Sequence, residues 1–366
     1  MNYKKSHIMN LIIAFTFVFS FSESWALTKK VVAKDLEIPW AIEELPNGDL
    51  LIAERRGQLK QLNLKTGLKT GKIISLTGVP TVYNSGQGGL LDLALSPGFE
   101  KNKYLYFTFS KAVKDKNTTV LARGKLDENK LTAVEEIFQA VPALDSKLHF
   151  GSRIAFDGRG HVFVSIGERD ERKNAQDLNV HLGKVIRLNE DGTVPKDNPF
   201  VGQKDKRPEI WSYGHRNPQG LWFDRTSNQL YESEHGPRGG DEINKIEAGK
   251  NYGWPVITHG KEYWGPSIGE KSKSGMQEAL KYYVPSIAPS DLIIYSGKIF
   301  KDWKGSFISG SLVLTHLNVV SFSGGEVGEE KRFFEKEMER VRSLCETKDG
   351  QLYLGVDSGE IWQVIN

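Results

Sequence analysis

Pro46-Asn47-Gly48, followed by Asp49-Leu50-Leu51-Ile52-Ala53, reads as a tight turn feeding a short β-type run. The pattern recurs five times. Asn102-Lys103 precedes Tyr104 to Phe109, Asp157-Gly158-Arg159-Gly160 precedes His161 to Ile166, and Ser227-Asn228 precedes Leu230 to Glu232. Lys304-Gly305 then precedes Ser306 to Leu314, and Asp349-Gly350 precedes Gln351 to Val356. Long amphipathic helices are missing between them. Six units over residues 27–366 allow about 57 residues each, the size of a four-stranded sheet with its loops. Radial repetition of such sheets leaves few strand edges unpaired. The predicted fold is therefore all-β, a six-bladed β-propeller in one domain. Lys30 to Leu36 is expected to pair with strands near the C-terminus and close the ring without an exposed edge. Two β-sandwiches would need a linker. The nearest thing to one, the polar Gly265 to Gly275, reads as a surface insertion.

Composition narrows the classes. The 366 residues are 39% hydrophobic and 26% charged, with a net charge of +3 and the signs interspersed. Gly and Pro together make up about 14%, well short of collagen or low-complexity bias. Cys345 is the only cysteine, which excludes a disulfide scaffold. No concentrated basic stripe marks a nucleic-acid binder. At the N-terminus, Lys4 and Lys5 precede an apolar run from Met9 to Phe21, and Ser24-Trp25-Ala26 offers small residues where a signal peptidase reads. Residues 1–26 are thus expected to be a signal peptide, with no membrane span after cleavage and a periplasmic or secreted destination for residues 27–366.

Five polar constellations sit in loops or strand starts. Ser85-Gly86-Gln87-Gly88-Gly89-Leu90-Leu91-Asp92 surrounds one amide with glycines that allow close backbone approach. His149-Phe150-Gly151-Ser152-Arg153 opens a strand with the side chain best suited to act as a base near neutrality. Gly214-His215-Arg216-Asn217-Pro218-Gln219-Gly220-Leu221 sets a fixed charge beside an amide. Glu234-His235-Gly236-Pro237-Arg238-Gly239-Gly240-Asp241-Glu242-Ile243-Asn244 combines a tight turn with carboxylates, oxygen donors of the kind Ca²⁺ takes. In Glu339-Arg340-Val341-Arg342, period-2 alternation puts both guanidinium groups on one strand face, where they call for an anion. Each alone is also compatible with an ordinary turn or a solvated strand face.

Taken in order, these blocks, with Asn251-Tyr252-Gly253-Trp254-Pro255, resemble the glucose/sorbosone dehydrogenase family, and within it the periplasmic PQQ-dependent aldose sugar dehydrogenases. The resemblance runs from Ile38-Pro39-Trp40 to the C-terminus. It implies a six-bladed propeller holding pyrroloquinoline quinone (PQQ) at the top of the channel, and oxidation of aldoses at C1 to lactones. His149 would be the base. Arg216 and Asn217 would bind the cofactor, with the Arg216 charge assisting the reaction. Gln87 would lie between cofactor and sugar, and Arg340 and Arg342 would face the cofactor carboxylates. The carbonyls of Gly236 and Pro237 would hold Ca²⁺, Glu242 and Tyr252 would hold further structural Ca²⁺, and Tyr263 would contact sugar. A monomer or homodimer passing electrons to an external acceptor is implied. Two positions depart from the family pattern: Leu148 replaces an Asp before the base, and Val313 replaces a cofactor-binding Lys. Two other classes fit a propeller with these residues, a non-catalytic sugar- or protein-binding module and a Ca²⁺-dependent lactonase. A base beside an anion pocket favours the dehydrogenase, and Val313 favours the binding module.

Overall fold

The computed structural model describes residues 27–65 and 72–366; the expected signal peptide, residues 1–26, lies outside them. The chain opens with β1 (Thr28–Ala33) and then lays down strands in consecutive groups of four. The first sheet is β2 (Pro39–Glu44), β3 (Leu50–Glu54), β4 (Gln58–Asn63) and β5 (Lys72–Leu76), and the second is β6 (Leu90–Leu95), β7 (Tyr104–Val113), β8 (Lys116–Asp127) and β9 (Lys130–Gln139). The third holds β10 (Gly151–Phe156), β11 (His161–Ile166), β12 (Lys184–Asn189) and β13 (Ile210–Tyr213). The fourth holds β14 (Pro218–Asp224), β15 (Gln229–Glu234), β16 (Asp241–Ile246) and β17 (Lys281–Tyr283). The fifth holds β18 (Ile293–Ile294), β19 (Phe307–Gly310), β20 (Leu317–Ser323) and β21 (Glu326–Phe333), leaving β22 (Val341–Glu346), β23 (Leu352–Val356) and β24 (Ile361–Ile365) for the last. Pairing within each sheet is antiparallel and sequential, and β1 supplies the fourth strand of the last sheet. The architecture is a six-bladed β-propeller. Each of the six turn-plus-strand units read from the sequence falls on the second strand of a blade, and β1 closes the ring from Thr28↔Ile365 onward.

Both faces of a blade are covered, so its second strand is buried along most of its length rather than on alternate residues. In β3, Leu50 and Ile52 pack with Val32, Cys345 and Tyr353 of the last blade, while Leu51 and Ala53 pack with Leu93, Leu105 and Phe107 of the second. The same arrangement gives six cores, each shared by two neighbouring sheets. Burying such a Leu or Ile contributes about 1.5–3 kcal/mol. The Gly265–Gly275 insertion lies between β16 and β17, and most of it is exposed.

Candidate active site

The first strand of each blade lines the channel, and five of these six strands carry a bulge. The register shifts across Pro39/Ala41, Leu90/Asp92, Gly151/Ile154, Pro218/Gly220 and Val341/Ser343. A bulge adds a residue that the ladder leaves unpaired and re-aims its side chain. Trp40, Leu91, Gln219 and Arg342 occupy these bulges, and all four line a cavity of about 610 Å³ at the end of the channel where these strands begin. Gln87, His149, Arg216, Asn217, Gly236, Tyr263, Val313, Arg340 and Arg342 also line it, so one space gathers residues from five constellations.

His149 is buried and sits at a φ of 51°. Gln87 Oε1 accepts its backbone N–H at 2.8 Å, and its Nδ1 lies 3.0 Å from Glu168 Oε1. Glu168 is 1% exposed; its second oxygen accepts the Glu171 N–H, and its own N–H donates to the Arg216 carbonyl. A carboxylate at this distance favours the tautomer with its proton on Nδ1, which leaves the Nε2 lone pair free. No local motif marks Glu168, but strand pairing does. Pairing β10 with β11 through Gly151↔Ile166 brings the residues just past Ile166 beside His149. Gly167 permits that approach, since a Cβ there would sit 2.1 Å from the His149 carbonyl oxygen. Arg169 pins the loop before His149: it donates to the Leu148 carbonyl at 2.8 Å and to the Asn117 side chain at 2.6 Å, and its guanidinium covers Phe150.

Charge defines the rest of the wall. Arg55, Arg216, Arg238, Arg340 and Arg342 line the cavity against one carboxylate, Asp357. The anion expected between Arg340 and Arg342 is met within the chain. Asp357 accepts two bonds from Arg342 at 2.7 and 2.8 Å and lies 3.0 Å from Arg340 Nε. Simple period-2 alternation does not hold there, because Arg340 precedes β22 and Arg342 sits in its bulge, stacked on Trp40. Arg216 donates to the His235 carbonyl at 3.0 Å, and its guanidinium lies 5.3 Å from the centre of the Trp254 ring. His235 is held down to about 3 by burial, aided by the positive charge of Arg216, so it stays neutral; its Nε2 faces the Pro289 carbonyl at 2.8 Å. Asn217 Oδ1 accepts from the Gly151 N–H and from Gln219. Four positive charges remain after Asp357 is counted, in a space suited to a small organic polyanion.

The expected cation ligands divide. Gly236 lines the main cavity, and Asp241 holds its loop by accepting the Gly236 N–H at 2.8 Å together with Ser286 Oγ and the Ile287 and Ala288 N–H groups. Pro237 does not line it, and its carbonyl accepts the Lys261 N–H at 3.0 Å. Glu242 and Tyr252 border a separate void of about 10 Å³ with Glu234, Gly236 and Gly240, room for one ion or water. The Tyr252 hydroxyl points away and bonds Lys245 and Glu247, so only its carbonyl is free for a cation. Tyr263 is 66% exposed at the rim, its carbonyl bonded to Arg238; Val313 is 59% exposed.

A six-bladed propeller with a histidine–carboxylate pair in an arginine-walled axial cavity is the class these features define. The chain belongs to the Glucose / Sorbosone dehydrogenase family, which matches residues 36–363. It is 39% identical over 344 residues to the aldose sugar dehydrogenase YliI of Escherichia coli (strain K12), covering 92% of each chain. It superposes on the crystal structure of the soluble aldose sugar dehydrogenase of Escherichia coli in the apo-form with a TM-score of 0.89 and 38% identity, over 93% of this chain and 99% of that one. The PQQ-bound aldose sugar dehydrogenase of Streptomyces coelicolor superposes with a TM-score of 0.78 at 28% identity, over 93% of this chain and 97% of that one.

Proposed function

We propose that this protein oxidises aldoses at C1 to lactones with PQQ and Ca²⁺, exported to the periplasm or beyond with residues 27–366 working as one propeller. The observation that carries the reading is His149, oriented by Glu168 as a base, in a cavity whose wall holds five arginines and one carboxylate. When bound, PQQ would supply a two-electron acceptor for the hydride leaving C1. His149 Nε2 would take the C1 hydroxyl proton, and Glu168 would stabilise the imidazolium that forms, much as a buried carboxylate supports a catalytic histidine elsewhere. Arg216, held by Glu234 and His235, would offer fixed positive charge where negative charge develops. Arg340, half exposed and with one contact to Asp357, is freer than Arg342, with two, to meet a cofactor carboxylate. Asn217 and Gln87 would complete the cofactor and sugar contacts, and Tyr263 would meet the sugar at the rim. The Gly236 carbonyl, with the remaining lone pair of the Pro237 carbonyl, would hold the Ca²⁺ that polarises the cofactor; Glu242 and the Tyr252 carbonyl would hold a structural one.

The test is titration of chelator-treated protein with PQQ and Ca²⁺, reading dye reduction with a panel of aldoses. Activity is expected only when both are present. Full activity in excess chelator would remove the Ca²⁺ assignment, and failure of the wild-type protein to bind PQQ would remove the dehydrogenase reading.

A further inference from the structure

The fourth blade and the loop before it carry a second polar cluster, of which the proposed reaction uses only the bond from the Arg216 N–H to Glu234. His215, Glu232 and Glu234 each bring one ligand atom to within 4.8 Å of the others. His215 and Glu232 are fully buried and Glu234 is 4% exposed. His215 Nδ1 lies 3.4 Å from Glu234 Oε1 and 4.0 Å from Glu232 Oε2. A charge-assisted N–H···O bond would be about 2.7–2.9 Å long, and Nδ1 makes no hydrogen bond. These separations are instead those of donors around one ion. Two atoms about 2.1 Å from a tetrahedral centre stand about 3.4 Å apart, the His215–Glu234 separation, and Glu232 would close in by about half an ångström to complete the set.

Three buried atoms in the cluster lack partners: His215 Nδ1, Glu232 Oε1 and Asn244 Oδ1. Leaving a buried polar atom unpaired costs about 1–3 kcal/mol. Charge is out of balance too. The Asn244 amide nitrogen lies within 3.4 Å of Glu232, Glu234 and Glu242 at once, and among the described residues His215 is the only basic side chain paired with Glu232 or Glu234. The imidazole is already oriented as a ligand. Its Nε2 lies 2.8 Å from Ser212 Oγ, and its ring stacks on Tyr252 with centroids 4.8 Å apart. Metal-bound histidines use their second nitrogen in this way.

We propose that His215, Glu232 and Glu234 form a buried three-ligand site for one zinc-class divalent ion, with Ser212 and Asn244 as outer partners. The imidazole nitrogen sets it apart from the all-oxygen Ca²⁺ sites around Gly236 and Glu242, because hard Ca²⁺ takes oxygen donors and borderline Zn²⁺ accepts nitrogen. An ion there would tie the β15–β16 hairpin to the loop that presents Arg216 and Asn217. It would also cancel the charge of two buried carboxylates.

Full-length protein is freed of metal with chelator, saturated with Ca²⁺ to fill the oxygen-only sites, and titrated with Co²⁺ as a spectroscopic probe. The expected result is visible absorption of tetrahedral Co²⁺ that saturates at one ion per chain, is displaced by Zn²⁺, and accompanies a rise in melting temperature. Ser212→Ala should weaken Zn²⁺ binding about 10–100-fold, and Glu232→Gln should abolish the absorption. If Glu232→Gln does not fold, the wild-type and Ser212→Ala titrations decide. Ca²⁺-loaded wild type with neither Co²⁺ absorption nor a Zn²⁺-dependent shift would mean that protons hold the carboxylates, and would overturn the site. Unchanged binding in Ser212→Ala or in folded Glu232→Gln would place the ion elsewhere and overturn it equally. The readouts involve neither PQQ nor sugar, so they can fail or succeed independently of the dehydrogenase reading.

Discussion

Where the innermost strands begin, the channel wall holds five arginines and Asp357; where they end, a second cavity of about 710 Å³ holds Glu43, Asp92, Asp224 and Asp291 with Arg153, Arg225 and Lys304. The same strands run through both ends. Arg153 separates them. Only 3% exposed, it donates to the Gln219 carbonyl at 2.7 Å, to Asp92 at 3.1 Å and to the Ser290 carbonyl at 2.7 Å, and Asp291 lies 3.6 Å away. The Trp40 carbonyl of the first blade completes the set at 3.5 Å. Burial holds Asp92 up to about 6 even beside this arginine, and burial with Asp92 nearby pushes Glu43 to about 8. One end is thus built to receive negative charge and the other to suppress it, and one guanidinium spanning five blades keeps the two apart.

The contrast can be broken at either end. The largest effect is expected from His149→Gln, which should leave PQQ affinity nearly intact while turnover falls about 10²–10⁴-fold, the usual worth of a positioned base. Equal turnover at saturating PQQ and sugar would remove the base from the mechanism. Arg153→Met should cost about 3–5 kcal/mol in urea unfolding, because it strands Asp92 and Asp291 without their cation. An unchanged midpoint would show that the partition carries no stability.

Glu43→Gln tests the far end through pH. A carboxyl raised to about 8 in the folded chain keeps its proton where the unfolded chain has lost it. Stability from this group therefore falls as pH rises from about 4.5 to about 8, by at most about 1.4 kcal/mol per pH unit. The variant should lose less stability across that window than the wild type, and parallel curves would contradict the assignment. Smallest is Arg340→Ala, expected to weaken PQQ binding by about 1.5–3 kcal/mol, as for one hydrogen bond to a charged group. Isothermal titration would measure it. With Val313 offering no charge on the same wall, the upper part of that range is expected.

What could be read from the sequence was local. A turn and the strand after it lie within a dozen residues, so all six second strands were legible, and so was the β1 closure once the blades were counted. The cavity residues were legible where they sat in compact motifs, as with Gly86-Gln87-Gly88 and His215-Arg216-Asn217. Glu168, Asp357 and the partition by Arg153 were not. Each acts through a partner brought close by strand pairing or by the ring itself: His149 across a hairpin, Arg342 across another, and the Ser290 carbonyl two blades away. The bulges hid as well, since an extra residue in a strand breaks the alternation on which periodic reading depends. Only register reveals that Arg342 and Gln219 turn into the channel for the same reason.

The pairing of Thr28 with Ile365 also imposes a schedule. The strand that β1 must join comes last in the described chain, so β1 is made well before its partner. Until then it is an open edge, able to recruit a neighbouring chain as readily as its own end. Lys29 and Lys30 lie on that strand. In the finished ring Lys29 meets Glu337 and covers Trp362. Lysines on a strand edge are a common guard against pairing with a second copy, so these two charges suit a strand whose partner arrives last.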